Sequence, residues 1–305
     1  MQGFLQVTIS GLATGALYGL LGLGIVLIYR TTGVLNFAYS AISSLGACFL
    51  YEVALAYHLN FWVALVLSLM FAFVLGAVLE RLFARPVLHA PIFTKAIATL
   101  ALALVLRTVA QAIWPQLAQT EPFATPFANA GARIGGVYIS AANFITLGAT
   151  VIIVALLSFF LNRTRLGIAM RASADNQPVA QLMGAPVSAI FLLTWALAAV
   201  IGTLAAILLA SQQRIIDITF MDPVLLLAFV AAVLGGLESL PGALLGGIII
   251  GLVENWLALL LAGHQWGPLD IGNPGIRDAL IFAAFILVLL VRPQGLLGKA
   301  QLRRV

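Results

Sequence analysis

Glu52, Arg107 and Glu254 stand inside long apolar runs of a 305-residue chain with only ten acidic residues, fifteen Lys or Arg and three His. A carboxylate or guanidinium in such surroundings could hold an oppositely charged neighbour, read the charge of a passing solute, or hand on a proton. The proton relay is the weakest of these, because the apolar runs hold too few ionisable groups to form a chain. A structural ion pair is the expected role, with Arg107 matched to Glu52 or Glu254 at similar depth. His58, His89 and His264 fall at run ends or in loops, far apart in sequence, so no metal-ligand spacing appears. No nucleophile–base constellation is visible, which argues against hydrolase chemistry. Cys48, the single cysteine, lies in an apolar run and reads as a small core residue. The chain is therefore not expected to be an enzyme or to bind a metal.

The elements that carry these residues are membrane spans. Apolar residues make up 63% of the chain and charged residues 8%, against about 45–50% and 25% in a soluble domain. A mean hydropathy of +1.12 leaves no wet surface for a soluble fold of this length. Strand-type alternation is absent, so the expected fold is all-α, a polytopic bundle of eight or nine segments. Spans are expected near 4–28, 35–57, 61–80, 95–114, 142–162, 188–210, 241–262 and 277–291. The first has no Lys or Arg before it and is too long for a signal-peptide core, so it reads as an uncleaved span. Gly15, Gly19 and Gly22 recur in it at helical spacing, a pattern for close helix packing.

A shorter apolar piece, 223–236, follows Asp222-Pro223 and leads into "LGGLESLPGALLGG". At about 1.5 Å per residue its roughly 21 Å is short for a hydrocarbon core of about 30 Å. Gly235, Gly236 and the residues around Glu238 suggest a broken helix whose loop dips into the membrane. Such backbone survives where protein or water satisfies it, and in transporters it often lines the pathway.

Lys and Arg set the orientation. With the N-terminus outside and 223–236 counted as a crossing, Arg30, Arg81, Arg85, Lys95, Arg163, Arg165, Arg171, Arg292, Lys299, Arg303 and Arg304 face the cytoplasm. Arg133, Arg214 and Arg277 then lie outside. The C-terminus is cytoplasmic in this arrangement. The net charge of +5 follows from the topology and does not point to nucleic acid, since no basic patch is interleaved with aromatics.

One polar stretch stands out, "RTRLGIAMRASADNQPVAQLMGAPVSA" from Arg163 to Ala189. "LGIAMRASAD" predicts a short interfacial helix. After it, Asn176 or Gln177 caps a second helix over Pro178–Met183, with Pro178 in the first turn, Gly184 at the C′ position and Pro186 blocking continuation. Two turns are unstable alone in water, so something must pack on them. Either the segment rests on its own bundle, or it docks into a partner protein through Leu182 and Met183, ringed by Asp175, Gln177 and Gln181.

"RASADNQPVAQLMGAPVSAI" resembles the cytoplasmic coupling loop of permease subunits of branched-chain amino acid ABC transporters. Its Ala180-x-x-x-Gly184 spacing matches their short Ala…Gly signature. "GLATGALYGLLGLGIVLIYRTTGVLNFAYSAISSLGA" (Gly11–Ala47) is similar to the N-terminal signature of that family, a Gly-rich helix before a Gly-x-x-Asn-Phe-Ala turn. "AAVLGGLESLPGALLGGIIIGLVE" (Ala231–Glu254) is similar to the late Gly-Gly…Ser-x-Pro-Gly segment, and the ending "LLVRPQGLLG" also fits. The resemblance spans nearly the whole chain and is nearest the H-type permease. Tyr39-Ser40-Ala41 departs from the family pattern, in which His-Gly and a polar or acidic residue commonly follow Asn-Phe-Ala.

The resemblance implies a single permease domain over 1–305, with a coupling loop at 163–187, in the bacterial inner membrane. It implies a second, M-type permease, two cytoplasmic ATPases that bind the coupling loops, and an extracytoplasmic solute-binding protein. The expected cargo is a branched-chain or other apolar amino acid. The only Gly-Lys, Gly298-Lys299, precedes Ala300 and lacks the frame Gly-x-x-x-x-Gly-Lys-Ser/Thr, so ATP and Mg belong on the partner ATPases. The resemblance places Asn36, Tyr39 and Ser40 near the pathway, although Asn36 could simply cap the second span. The competing reading is a self-contained secondary transporter or channel for amino acids, amides or urea. That protein would need no docking knob and would usually carry more intramembrane acids.

Overall fold

The computed structural model describes residues 2–297 apart from 89, 128–129, 135–136, 267–268, 271 and 293. His89, Lys299, Arg303 and Arg304 lie outside the described residues.

Among the described residues eleven helices form an all-α membrane bundle. They are α1 (Gln2–Thr32), α2 (Tyr39–Ala56), α3 (Phe61–Leu79), α4 (Ile92–Ile113), α5 (Ala141–Arg163), α6 (Arg165–Asp175), α7 (Gln177–Leu182), α8 (Val187–Gln213), α9 (Asp222–Gly235), α10 (Leu240–Leu261) and α11 (Pro274–Val291). Seven are long and apolar enough to cross a membrane, while α2 and α9 are shorter apolar helices. The expected crossing over 61–80 runs on to Ala84 through a π-helical turn, Glu80–Ala84. Buried Glu80 there takes two bonds from Arg85, at 3.2 and 3.0 Å.

Polar residues start the helices where the sequence changes character. The side chains of Asn60, Ser140, Ser239 and Asn273 each accept a bond from a first-turn N–H of α3, α5, α10 and α11. Short antiparallel ribbons, which the hydropathy did not foreshadow, join helices at the end away from α6 and α7. They pair β1 (Glu121–Pro122) with β4 (Ile215–Ile216), β2 (Gly131–Ile134) with β3 (Val137–Ser140), and β5 (Gln265–Trp266) with β6 (Leu269–Asp270).

Helices α1 and α8 form the enclosed centre, and α11 is almost wholly peripheral. Helix α1 meets α10 backbone to backbone. A Cβ added at Gly247 would collide with the Gly19 amide, and one at Gly251 with that of Gly15. The glycine stripe expected in α1 thus has a matching stripe on α10, the small-residue contact that lets membrane helices touch.

The expected span over 35–57 is corrected. Residues 33–38 are not helical but run back from the end of α1 into the bundle, so α2 starts deep. The Tyr39 ring lies against Gly24 of α1 and Gly202 of α8. Gly24 is about 12 Å along α1 from Thr32. This largely buried irregular backbone needs partners, and the Thr99 hydroxyl of α4 contributes. It accepts from the Phe37 N–H at 3.2 Å, and its one proton lies between the Leu35 carbonyl at 3.1 Å and the Ala96 carbonyl of its own helix at 2.9 Å.

A second half-helix, α9, has 14 residues. It ends at Gly236, whose φ of +104° is a conformation that glycine reaches without strain. Its last carbonyls are closed by the stretch after α11, through Leu296 N to Leu234 O at 2.7 Å and Leu297 N to Gly235 O at 3.1 Å. The break expected around Glu238 falls between α9 and α10. The 236–239 turn sits at the α6–α7 end, beneath residues 296–297, and the deep break is at the opposite end of α9.

Candidate functional site

The polar stretch between α5 and α8 is a built object. The Thr164 hydroxyl accepts from the Gly167 N–H at 3.0 Å and donates to the Phe160 carbonyl at 2.7 Å, fixing the corner between α5 and α6. Gly167, Met170 and Ser173, three apart, form the buried face of α6. Asn176 then caps α7, accepting from the Val179 N–H at 3.2 Å. The helix covers Gln177–Leu182, one residue earlier than the sequence implied.

The exit from α7 is a Schellman motif. Gly184 N–H donates to Gln181 O and Ala185 N–H to Ala180 O, both at 2.9 Å, with Gly184 at φ +83°. Ala180 faces inward and is buried. Leu182 and Met183 stand out on the tip at 87% and 83% exposure. Asp175 is tied to Arg30 at the end of α1 by a 2.9 Å ion pair. These residues carry no catalytic chemistry. Together they hold an apolar tip on a stiff short helix joined to the central helix of the bundle.

Behind this tip lies a cavity of about 1170 Å³. The end of α1, α5, α6 and the 236–239 turn enclose it, and Arg30, Asn162, Arg171, Asp175 and Glu238 are among its lining residues. Glu238 therefore belongs with the α6–α7 surface, while Gly235 and Gly236 let the α9–α10 backbones approach each other. A Cβ at Gly235 would meet the Gly242 carbonyl.

A different polar cluster lies deeper. Arg107 Nη2 is 2.5 Å from Asp222 Oδ1, and the Ser40 hydroxyl donates to the same oxygen at 2.8 Å. The expected pairing of Arg107 with Glu52 or Glu254 is thus overturned. Asp222 opens α9 inside the bundle, and the start of that helix carries its carboxylate to Arg107. Glu254 accepts instead from the Tyr18 hydroxyl at 2.6 Å and pairs with Arg277 at 3.3 Å. Glu52 accepts from the Gln116 amide at 2.8 Å. Asp222 was the residue the sequence reading missed. The Asp-Pro pair before an apolar run is a helix-start signal and could have revealed it.

The three residues placed near the pathway by resemblance separate. Tyr39 is fully enclosed, its hydroxyl donating to the Ala198 carbonyl at 2.9 Å, so it packs α2 against α8. Asn36 is buried too; its Oδ1 accepts from the Ala38 N–H at 3.0 Å, and its Nδ2 has no partner among the described residues. Ser40 alone joins the charged cluster. Next to Asn36, the Phe37 ring packs on Phe229 of α9 with centroids 5.0 Å apart. Among the described residues no group of His, Cys, Asp and Glu could hold a metal ion.

Residues 7–289 match the family described as "Branched-chain amino acid transport system / permease component". The chain belongs to this permease family. Relatives of the permease include the high-affinity branched-chain amino acid transport system permease protein BraD of Pseudomonas aeruginosa, 29% identical over 99% of this chain and 98% of that protein. Escherichia coli LivH, named as the same kind of protein, is 28% identical with the same coverage. A probable LivH of Methanocaldococcus jannaschii is 32% identical over 92% of this chain and 88% of its own. Among solved structures, PsaBC from Streptococcus pneumoniae in complex with Fab covers 95% of this permease and 92% of that chain, with 17% identity and a TM-score of 0.49. The permease is a multi-pass membrane subunit of an ABC import system.

Proposed function

We propose that this permease lines one side of the pathway of an ATP-driven importer for branched-chain or other apolar amino acids. A second permease completes the pathway, two cytoplasmic ATPases carry ATP and Mg, and an extracytoplasmic binding protein delivers the solute. The α6–α7 end faces the cytoplasm, with the N-terminus outside and the C-terminus inside, a reading that the distribution of Lys and Arg supports. The apolar cargo is taken from the names of the relatives.

The observation that carries the reading is the tip of α7. Two large apolar side chains stand exposed on a helix that has both ends capped and is tied to α1. Apolar groups held out in water at this cost fit a cleft in a partner. Motion of the ATPase would reach the bundle through Asp175 and Arg30.

Reconstitution of the full importer with and without ATP tests this, using L-leucine uptake and co-purification of the ATPases with Leu182→Asp. ATP-dependent uptake, with loss of both uptake and ATPase retention in the variant, is expected. ATP-independent uptake by the permease alone, or normal retention and transport in Leu182→Asp, would overturn the reading.

A further inference from the structure

We propose that Arg107 and Asp222 are the pair that reads the zwitterionic head of the transported amino acid, and that the apolar side chains beside them receive its side chain. This rests on the import reading and names the chemistry of its pathway.

The starting point is where the pair sits. Asp222 opens α9, whose 14 residues set it about 21 Å along the helix from the α6–α7 end, well inside a hydrocarbon core of about 30 Å. Yet the two side chains remain 26% and 29% exposed at the surface of the subunit. Charges at that depth do not face lipid. Their open side must be covered by another subunit or by pathway water, so this face is the inward, pathway face of the permease.

The pair also has unused bonding capacity. Both bonds to Asp222 fall on Oδ1, leaving Oδ2 without a bond among the described residues. Arg107 spends one Nη2 bond; its Nε, buried, also has no partner among them, so the exposed part of the guanidinium is its Nη edge. A guanidinium with free N–H groups suits a carboxylate, and a carboxylate with a free oxygen suits an ammonium. Helices α2 and α9 also begin here, at Tyr39 and Asp222, so two positive helix ends reinforce the carboxylate side.

An apolar surface leads away from the charges. Leu226 and Phe229 lie four and seven residues after Asp222, on the same side of α9. Leu100 and Leu104 lie seven and three residues before Arg107 on α4, and Leu100, Leu104 and Leu226 are exposed. Phe37 on the re-entrant stretch completes the wall by packing on Phe229. A neutral charge pair beside exposed leucines and the Phe37–Phe229 pair complements a molecule that is zwitterionic at one end and aliphatic at the other. When the pathway is empty, Arg107 and Asp222 satisfy each other. When solute arrives, its carboxylate takes the guanidinium and its ammonium takes Asp222, and the site stays neutral throughout. Uncharged amides and ions of net charge would not make this exchange.

The test uses the complete importer in proteoliposomes. The double variant Arg107→Gln/Asp222→Asn removes both charges and leaves no lone charge in the membrane. The expected result is a monodisperse complex whose L-leucine uptake falls about 10- to 100-fold at low L-leucine, the loss of charged hydrogen bonds to the solute. A purely structural pair predicts wild-type uptake from the same complex, which would overturn the proposal. Leu226→Cys in a Cys48→Ala background decides the matter even if the double variant is not recovered. L-leucine, but not acetamide, is expected to slow its reaction with a small thiol reagent. A rate that L-leucine leaves unchanged would overturn the assignment. If the unaltered importer takes up no amino acid at all, the import reading beneath it fails instead.

Discussion

Gly184→Val should loosen the exit of α7 without disturbing the bundle. The residue sits at φ +83°, a left-handed conformation that costs a residue with a Cβ roughly 1–2 kcal/mol, and a β-branched one more. Nothing lies within 4 Å of where the Cβ would go, so the penalty is in the backbone and not in a clash. If the turn relaxes to relieve it, the bonds from Gly184 to Gln181 and from Ala185 to Ala180 are put at risk, each worth about 1 kcal/mol. By either route the cost is about 2 kcal/mol, roughly a 30-fold smaller population of the docked geometry. The assay is ATPase affinity for purified permease across the series Gly184, Gly184→Asn, Gly184→Ala and Gly184→Val. Asn visits the left-handed region most readily of the three and should lose least, Val most. The thermal midpoint of the permease alone should stay within about 2 °C, because the segment adds little to a fold of this size. Equal ATPase affinity across the four proteins would refute the reasoning, as would a loss that follows side-chain size with a matching fall in permease stability.

A cysteine at Asp175 in a Cys48→Ala background should resist an impermeant maleimide in intact cells and react after lysis. Labelling from outside would reverse the orientation. Thr99→Val should cost about 1–3 kcal/mol of stability, because it strips partners from both Leu35 and Phe37 in one step. Thr99→Ser should restore most of it, read as the temperature of half-aggregation in detergent. Gly251→Val should abolish recovery of folded permease, since any Cβ there meets the α1 backbone, whereas Gly148→Ala, with open space around it, should change the yield little.

Hydropathy and end signals were enough to read the long helices, because crossing a bilayer demands length and apolarity that no soluble element imitates. The α7 cap and exit were legible for a related reason: Asn176, Pro178 and Gly184 each act through local backbone geometry. What hydropathy could not separate was a buried helix from buried irregular chain. Residues 33–38 include Val34, Leu35 and Phe37, as apolar as the helix that follows. The residue that makes them viable, Thr99, is on another helix more than sixty positions away. The partner of Arg107 was hidden in the same way. Depth was counted along each run, and a half-helix that starts inside the bundle breaks that count. The ribbons were missed because two- to four-residue strands carry no period to detect.

The glycine contact between α1 and α10 also has a history in time. Gly15 and Gly251 are 236 positions apart, so the groove on α1 is made long before the ridge that fills it. At about 5–20 residues per second the delay is on the order of 10–50 s. Through that interval α1 must wait in the bilayer with its backbone side uncovered, bordered by lipid or held by the insertion machinery. The most intimate contact in the fold is therefore among the last to form during translation. A permease stalled or degraded before α10 inserts would lack its centre, however well its earlier spans had entered the membrane.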